Sequence, residues 1–191
     1  MSNEYDAFDQ GVEPGGLRSR REIRLMLCYL LKSINGPARK SLLTKALQEP
    51  GIANYFEINQ ALSELTESGH IVLETIDGEE AFRVTGAGRE ASELLETTLT
   101  ISVREKAVRA ALRLMTLQRR EKENDIEISK TGAGYKISVD IFSSAAKGEN
   151  DRLLSLSLYL ADAMQAERVK KGFLDDPARL CEAVMTALLE Q

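Results

Sequence analysis

Apolar residues recur at helical spacing in three successive segments of the first half of the chain. The first segment predicts a helix over residues 17–34, which Asn35-Gly36-Pro37 ends. Ser41 is expected to cap a short second helix that runs to about Gln48. The third segment predicts a helix over residues 54–68. Its inner face holds Ile58, Ala61, Leu62 and Leu65.

Alternating apolar positions after the third helix predict a β-hairpin around the turn Asp77-Gly78-Glu79-Glu80. On one face of this hairpin we expect Ile71 and Leu73 to pair with Phe82 and Val84. A fourth helix is predicted over residues 86–97. Three helices followed by a hairpin is the element order of a winged helix-turn-helix, a scaffold used mostly to bind DNA.

The second half of the chain begins with one long helical pattern and continues with three segments of period two. Alternating Leu and Ser in the last of these favour a strand, and a third strand makes a small sheet plausible. Two helices complete the chain, the last with Asp176 as its N-cap. The predicted elements are residues 102–124 (helix), 125–130, 135–141 and 154–160 (strands), and 161–173 and 177–189 (helices).

These patterns predict an α+β chain, with an N-terminal winged helix-turn-helix and a small C-terminal antiparallel sheet of three strands packed with helices. Residues 1–16 are polar and without periodicity, which predicts a disordered tail. Residues 17–98 would form the winged-helix domain. Residues 99–191 would form an α/β module that dimerises or senses a ligand.

The composition predicts a globular protein without a membrane span. An apolar content of 43% is enough to build a core, and no apolar run approaches the roughly 20 residues of a membrane span. The acidic N-terminus lacks the pattern of a signal peptide, so we expect a cytoplasmic protein without membrane contact. Cys28 and Cys181 both lie in apolar helical patterns and are expected to be reduced core residues.

Charge argues against the DNA-binding role that the scaffold suggests. The net charge is −5, which disfavours nonspecific binding to nucleic acid. Residues 1–98 hold 10 basic and 16 acidic residues, so the half with the helix-turn-helix pattern is the acidic half.

The sequence contains few residues in patterns typical of a catalytic site. His70 is the only histidine, no cysteine lies at metal-ligand spacing from it, and no serine has a G-x-S-x-G setting. Gly86-Ala87-Gly88 lacks the rest of a phosphate-binding loop and is interpreted as the opening of a helix. We therefore expect no enzymatic role, no metal site and no cofactor.

Base reading would fall to the outward face of the third helix. Its candidate residues are Phe56, Asn59, Gln60 and Ser63. Asn and Gln side chains can pair with adenine, and Phe can contact a thymine methyl group. The same helix carries Glu57, Glu64 and Glu67, which are expected to lie close to phosphates and to oppose docking.

Basic residues on the first two helices are the candidates for phosphate contacts, with a solvated surface as the alternative interpretation. They are Arg18, Arg20, Arg21, Arg39, Lys40 and Lys45. A second basic stripe lies on the long helix and consists of Lys106, Arg109, Arg113 and Arg120. Three interpretations of this stripe remain open: a solvated face, a patch that faces acids of a partner subunit, and a surface for an anionic ligand or nucleic acid.

Several segments of residues 18–97 resemble bacterial winged-helix regulators of the PadR-like and MarR-like groups. The resemblance rests on Tyr55-Phe56, on residues 58–65, on Glu67-Ser68-Gly69-His70-Ile71 and on residues 82–89. Over nearly its whole length the chain resembles an uncharacterised bacterial family, known only as a domain of unknown function. That family pairs an N-terminal winged helix with a C-terminal α/β module.

The resemblance implies a transcriptional regulator that binds double-stranded DNA as a homodimer, with an effector or protein partner of unknown identity. The acidic third helix and acidic turn depart from the pattern of those groups. The alternative is a protein-interaction module on a winged-helix scaffold, whose acidic face would meet a basic partner.

Overall fold

Residues 10–143, 147 and 151–189 are described by the structure, a computed structural model. Within these residues the chain is α+β, with seven α-helices and two three-stranded antiparallel sheets. It divides into two units, the first ending at Met115 and the second beginning at Thr116. The expected boundary at residue 99 lies further towards the N-terminus.

The first unit holds four complete helices and one sheet. Its elements are α1 (Arg20–Ile34), β1 (Ala38–Arg39), α2 (Lys40–Gln48), α3 (Tyr55–Glu67), β2 (Ile71–Ile76), β3 (Glu79–Val84) and α4 (Gly86–Leu95). A short 3₁₀-helix, Glu96–Thr98, follows α4 and precedes the long helix α5 (Ile101–Glu123), which contributes residues to both units.

Short polar side chains cap the first and third helices of this unit. Ser19 caps α1 in a capping box with Glu22, and the Asn54 side chain accepts a hydrogen bond (2.8 Å) from the backbone N–H of Phe56 at the start of α3. The expected cap by Ser41 is wrong, because α2 already begins at Lys40 and Arg39 holds its N-cap position. Arg39 ends strand β1, so the helix starts as soon as the strand pairing stops.

The sheet of the first unit has the strand order β1-β3-β2. Ile71 faces Val84 and Leu73 faces Phe82, the two pairs expected from the alternating pattern. Asp77 and Gly78 both have positive φ angles, 52° and 81°, which a two-residue hairpin turn with this twist requires. Strand β1, absent from the sequence-based expectation, pairs with β3.

Helix α1 lies at the centre of the first unit's core. Met26, Leu27, Leu30 and Leu31 are fully buried, and the same core includes residues of α2, α3, the sheet and α5. The wide apolar stripe of α1 thus matches a helix that is contacted from several sides.

Part of the expected N-terminal tail lies outside the described residues, namely residues 1–9. The backbone between residues 13 and 17 is hydrogen-bonded to the loop after α2. The backbone N–H of Glu13 donates to the carbonyl of Gly51 (2.9 Å), and that of Leu17 donates to the carbonyl of Ile52 (2.8 Å).

The second unit contains a sheet with the strand order β4-β5-β6. Its elements, besides the end of α5, are β4 (Asp125–Thr131), β5 (Gly134–Phe142), β6 (Arg152–Leu160), α6 (Ala163–Asp175) and α7 (Pro177–Leu189). The core joins one face of β5 to Phe173 and Leu174 of α6. Asp162 caps α6, which therefore begins two residues later than expected, and Asp176 caps α7 as expected.

Among the described residues, no helix has both the length and the apolar character needed to cross a bilayer.

Candidate nucleic-acid interface

The outward face of α3 carries the four candidate base-reading residues. The Phe56 side chain is 70% exposed, Gln60 and Ser63 are exposed, and Asn59 is half-buried. The three polar side chains form hydrogen bonds within the helix. Asn59 donates to the carbonyl of Tyr55 (2.7 Å), Gln60 donates to Glu64 (3.0 Å) and Ser63 donates to Glu67 (3.2 Å).

Two of the three acids on α3 are paired with arginines of α1. The Arg20 Nε donates to Glu57 Oε2 at 3.2 Å, and the Arg24 Nη1 donates to Glu64 Oε2 at 2.9 Å. Glu57 is buried, although the sequence pattern placed it with Glu64 and Glu67 among the acids expected to lie close to phosphates. A buried carboxylate needs such a partner, since burial without one is costly.

The acidic hairpin tip is paired in the same way with the start of α2. Arg39 forms ion pairs with Asp77 and Glu79, the latter at 3.5 Å. The Lys40 Nζ lies 2.9 Å from Glu80 Oε2. Strand β1 accounts for these contacts, because its pairing with β3 brings Arg39 and Lys40 beside the hairpin.

The six candidate phosphate-contact residues therefore fall into two groups. Arg20, Arg39 and Lys40 hold carboxylates of the same unit. The other three are exposed and have no ion-pair partner within the described part of the chain; they are Arg18, Arg21 and Lys45. The unpaired positive charge of this surface is thus smaller than the number of basic residues suggests.

A groove of about 460 Å³ lies between α2, the first turns of α3 and the end of the hairpin. Its lining residues are Lys40, Ser41, Thr44, Lys45, Gln48, Tyr55, Asn59, Glu79 and Glu80. Beside it, the rings of Tyr55 and Phe56 stand edge to face, with centroids 5.6 Å apart and planes at 85°. This surface offers polar, basic, acidic and aromatic groups together.

The basic stripe of α5 is not a uniform free surface. The Lys106 Nζ lies 2.8 Å from Glu13 Oε2, and Arg120 Nη1 donates to the carbonyls of Leu174 (2.8 Å) and Asp175. Arg120 thereby satisfies carbonyl groups at the end of α6, a structural role that the sequence pattern did not indicate. Arg109 and Arg113 are exposed.

His70 has a local structural role at the junction of α3 and β2. Its Nδ1 lies 2.9 Å from the Ser68 hydroxyl, and its carbonyl accepts hydrogen bonds from the backbone N–H (3.0 Å) and the hydroxyl (2.9 Å) of Thr85. A Cβ on Gly88 would lie 2.2 Å from the same carbonyl oxygen. The Thr85-Gly86-Ala87-Gly88 segment therefore serves close packing between α4 and this junction.

Both cysteines are free thiols, with Cys28 buried in α1 and Cys181 half-buried in α7. Burial raises the pKa of the Cys28 thiol from 9.0 to about 11, so this group is protonated near neutral pH.

Residues 23–188 match the family described as Domain of unknown function (DUF4364). The chain belongs to this family. No curated protein and no solved structure matches it. The description of the DUF4364 family gives no activity.

The pairing of Arg24 with Glu64 was not expected, although the spacing of the charges on the two helices is consistent with it. Arg20 and Arg24 are one helical turn apart on α1, while Glu57 and Glu64 are two turns apart on α3. Charges of opposite sign at helical spacing on two neighbouring helices indicate facing stripes.

Proposed function

We propose that this protein is a DNA-binding transcriptional regulator of the winged-helix class, and that it acts in the cytoplasm as a homodimer. The observation that carries the proposal is the internal pairing of acids on the α3 surface. Because Glu57 is buried against Arg20 and Arg24 holds Glu64, the exposed face of α3 carries less uncompensated negative charge than its sequence suggests.

In this proposal α3 enters the major groove and β2, β3 and their turn form the wing. Phe56 would contact a thymine methyl group, while Asn59 and Gln60 would exchange their hydrogen bonds within α3 for hydrogen bonds to adenine. A dimer would present two copies of α3 to successive major-groove segments, roughly 34 Å apart.

Phosphate contacts are assigned to Arg18, Arg21 and Lys45, the three basic residues without a carboxylate partner in the described part of the chain. If each protomer neutralises three phosphates, the logarithm of the DNA-binding constant should fall with the logarithm of the salt concentration. The expected slope is about −2.7 for one protomer and about −5 for a dimer. Exposed ion pairs are worth only about 0–1 kcal/mol. Lys40 can therefore exchange Glu80 for a phosphate, which would steepen the slope.

The test begins with selection of bound duplexes from fragmented genomic DNA at low salt, followed by fluorescence anisotropy on an enriched duplex. Arg21→Gln and Lys45→Gln should weaken binding to all duplexes and should each flatten the salt slope by about 1 per protomer. Lys171→Gln, an exposed change in the second unit, is the matched control and should leave the slope unchanged. Absence of any bound duplex at low salt would contradict the proposal.

Base reading is tested separately with Gln60→Ala. This variant should keep its affinity for unrelated duplexes while its preference for the enriched sequence decreases by roughly 1–3 kcal/mol. The mass of the protein in solution tests the dimer, and a strict monomer at micromolar concentration would contradict it.

A second candidate function is a protein-interaction module, which the exposed Tyr55 and Phe56 rings favour. Exposed aromatic side chains are enriched at the centres of protein interfaces. This candidate replaces the first if the wild-type protein binds no duplex and if Phe56→Ala abolishes binding to a defined protein partner while Gln60→Ala does not.

A further inference from the structure

A cavity of about 330 Å³ lies in the second unit, between one face of the sheet and helices α6 and α7. Strands β5 and β6 supply Ile137, Val139, Leu156 and Leu158, and Val169, Phe173 and Leu180 close the other sides. This volume falls in the range of roughly 300–1,000 Å³ that is usual for small-molecule sites, and such sites are mostly apolar.

Charged groups line the cavity only where α7 begins, at Asp176 and Arg179. The Asp176 carboxylate accepts a hydrogen bond from the backbone N–H of Arg179 (3.2 Å), so it is engaged as the N-cap of α7. The Arg179 side chain is exposed and has no ion-pair partner within the residues that the structure describes. Its guanidinium can therefore pair with a carboxylate at the mouth of an otherwise apolar space.

Gly172 lines the same cavity and lies inside α6. Glycine in a helix interior costs about 1 kcal/mol relative to alanine. A Cβ at this position would meet no atom within 4 Å, and the position is not among the glycines with positive φ. Neither close packing nor backbone conformation within the described chain accounts for this glycine. Its effect is to leave the cavity wall open.

We propose that this cavity binds a small carboxylate with an apolar body, such as a medium-chain fatty acid. The apolar body would lie against β5, β6 and α6, and the carboxylate would pair with Arg179. A failure of this proposal and a failure of the proposed DNA binding are distinguishable, because every residue of the site belongs to the second unit and the measurement uses no DNA.

The test is isothermal titration calorimetry of the full-length protein with decanoate, and with decan-1-ol as the neutral probe of equal chain length. The wild-type protein should bind decanoate saturably and more tightly than decan-1-ol. Arg179→Gln should weaken decanoate binding about tenfold, which corresponds to about 1.4 kcal/mol, and should leave decan-1-ol binding unchanged. Arg168→Gln, an exposed change on α6 outside the cavity lining, is the matched control and should change neither.

Gly172→Leu provides a second variant that fills the cavity. Because nothing lies within 4 Å of the added Cβ and Gly172 lines a cavity of about 330 Å³, this variant should fold and should lose binding of both probes. Absence of saturable decanoate binding by the wild-type protein would overturn the proposal, as would unchanged binding by a folded Gly172→Leu variant. A change of oligomeric state in Gly172→Leu without decanoate binding by the wild type would also overturn it, and would assign the cavity to a second copy of the chain.

Discussion

The two units of the chain differ in how completely they bury their apolar side chains. Within the described residues, the largest fully buried side chains all belong to the first unit, with the exception of Ile137. In the second unit, helix α7 has no buried residue, and Met185, Leu188 and Leu189 are 54%, 66% and 74% exposed.

This difference in burial indicates that the two units have different physical roles. The closed core of the first unit fixes the relative positions of α1, α3 and the hairpin, which the internal ion pairs of the candidate interface require. The second unit leaves apolar surface and a cavity that its own side chains do not fill. Apolar surface left open in this way is typical of a binding function.

The largest expected effect comes from removing buried volume in the first unit. Leu30→Ala should lower the free energy of unfolding by about 3 kcal/mol, because the fully buried Leu30 side chain would leave a cavity. Leu188→Ala in α7 is the matched leucine in the open unit and should cost less than about 0.5 kcal/mol. Chemical denaturation of both variants measures the two values.

Equal losses in the free energy of unfolding for Leu30→Ala and Leu188→Ala would contradict the difference in burial between the two units. A large cost at Leu188 would mean that α7 is covered in solution, and the dependence of that cost on protein concentration would then reveal a second copy of the chain.

Gly88 in the first unit and Gly172 in the second should respond in opposite ways to replacement by alanine. Gly88→Ala should destabilise the protein by about 2 kcal/mol, because the new Cβ would lie 2.2 Å from the His70 carbonyl oxygen and the backbone would have to move. Gly172→Ala should instead stabilise it by about 0.5–1 kcal/mol through helix propensity alone. Thermal and chemical unfolding of the two variants measure the direction of each change in stability. Destabilisation by Gly172→Ala would show that the cavity wall is already closed.

Local patterns in the sequence located most of the helices and strands. Periodicity placed α3 within one residue of its observed ends, and period-two alternation identified the three strands of the second unit. Asp176 and Pro177 also marked the start of α7 correctly. These signals succeed because each depends on neighbours within a few residues.

Features that depend on distant residues were missed or misjudged. Strand β1 has only two residues and carries no periodicity, so its pairing with β3 was not expected, and the error at Ser41 follows from it. The ion pairs of Arg20 and Arg24 with α3 span 37 and 40 positions, so local patterns in the sequence did not show which acids of α3 are paired.

A third prediction concerns the buried Cys28 thiol of the first unit. Because burial raises the pKa of Cys28 from 9.0 to about 11, the folded protein keeps this proton in a pH range where the unfolded chain loses it. Cys28 should therefore contribute no pH dependence below pH 9. Between pH 9 and about pH 11 the thiol should lower the free energy of unfolding as the pH rises, by about 1.4 kcal/mol at pH 10.

The measurement is the free energy of unfolding at several pH values between 8 and 11, for the wild-type protein and for Cys28→Ala. Lysines and tyrosines titrate in the same range, so the difference in slope between these two proteins isolates the thiol. Cys28→Ala should show a shallower alkaline decrease, and Leu188→Ala should keep the wild-type slope. Parallel slopes for the wild type and Cys28→Ala would mean that solvent reaches the thiol, and the first unit would then be less closed than its packing indicates.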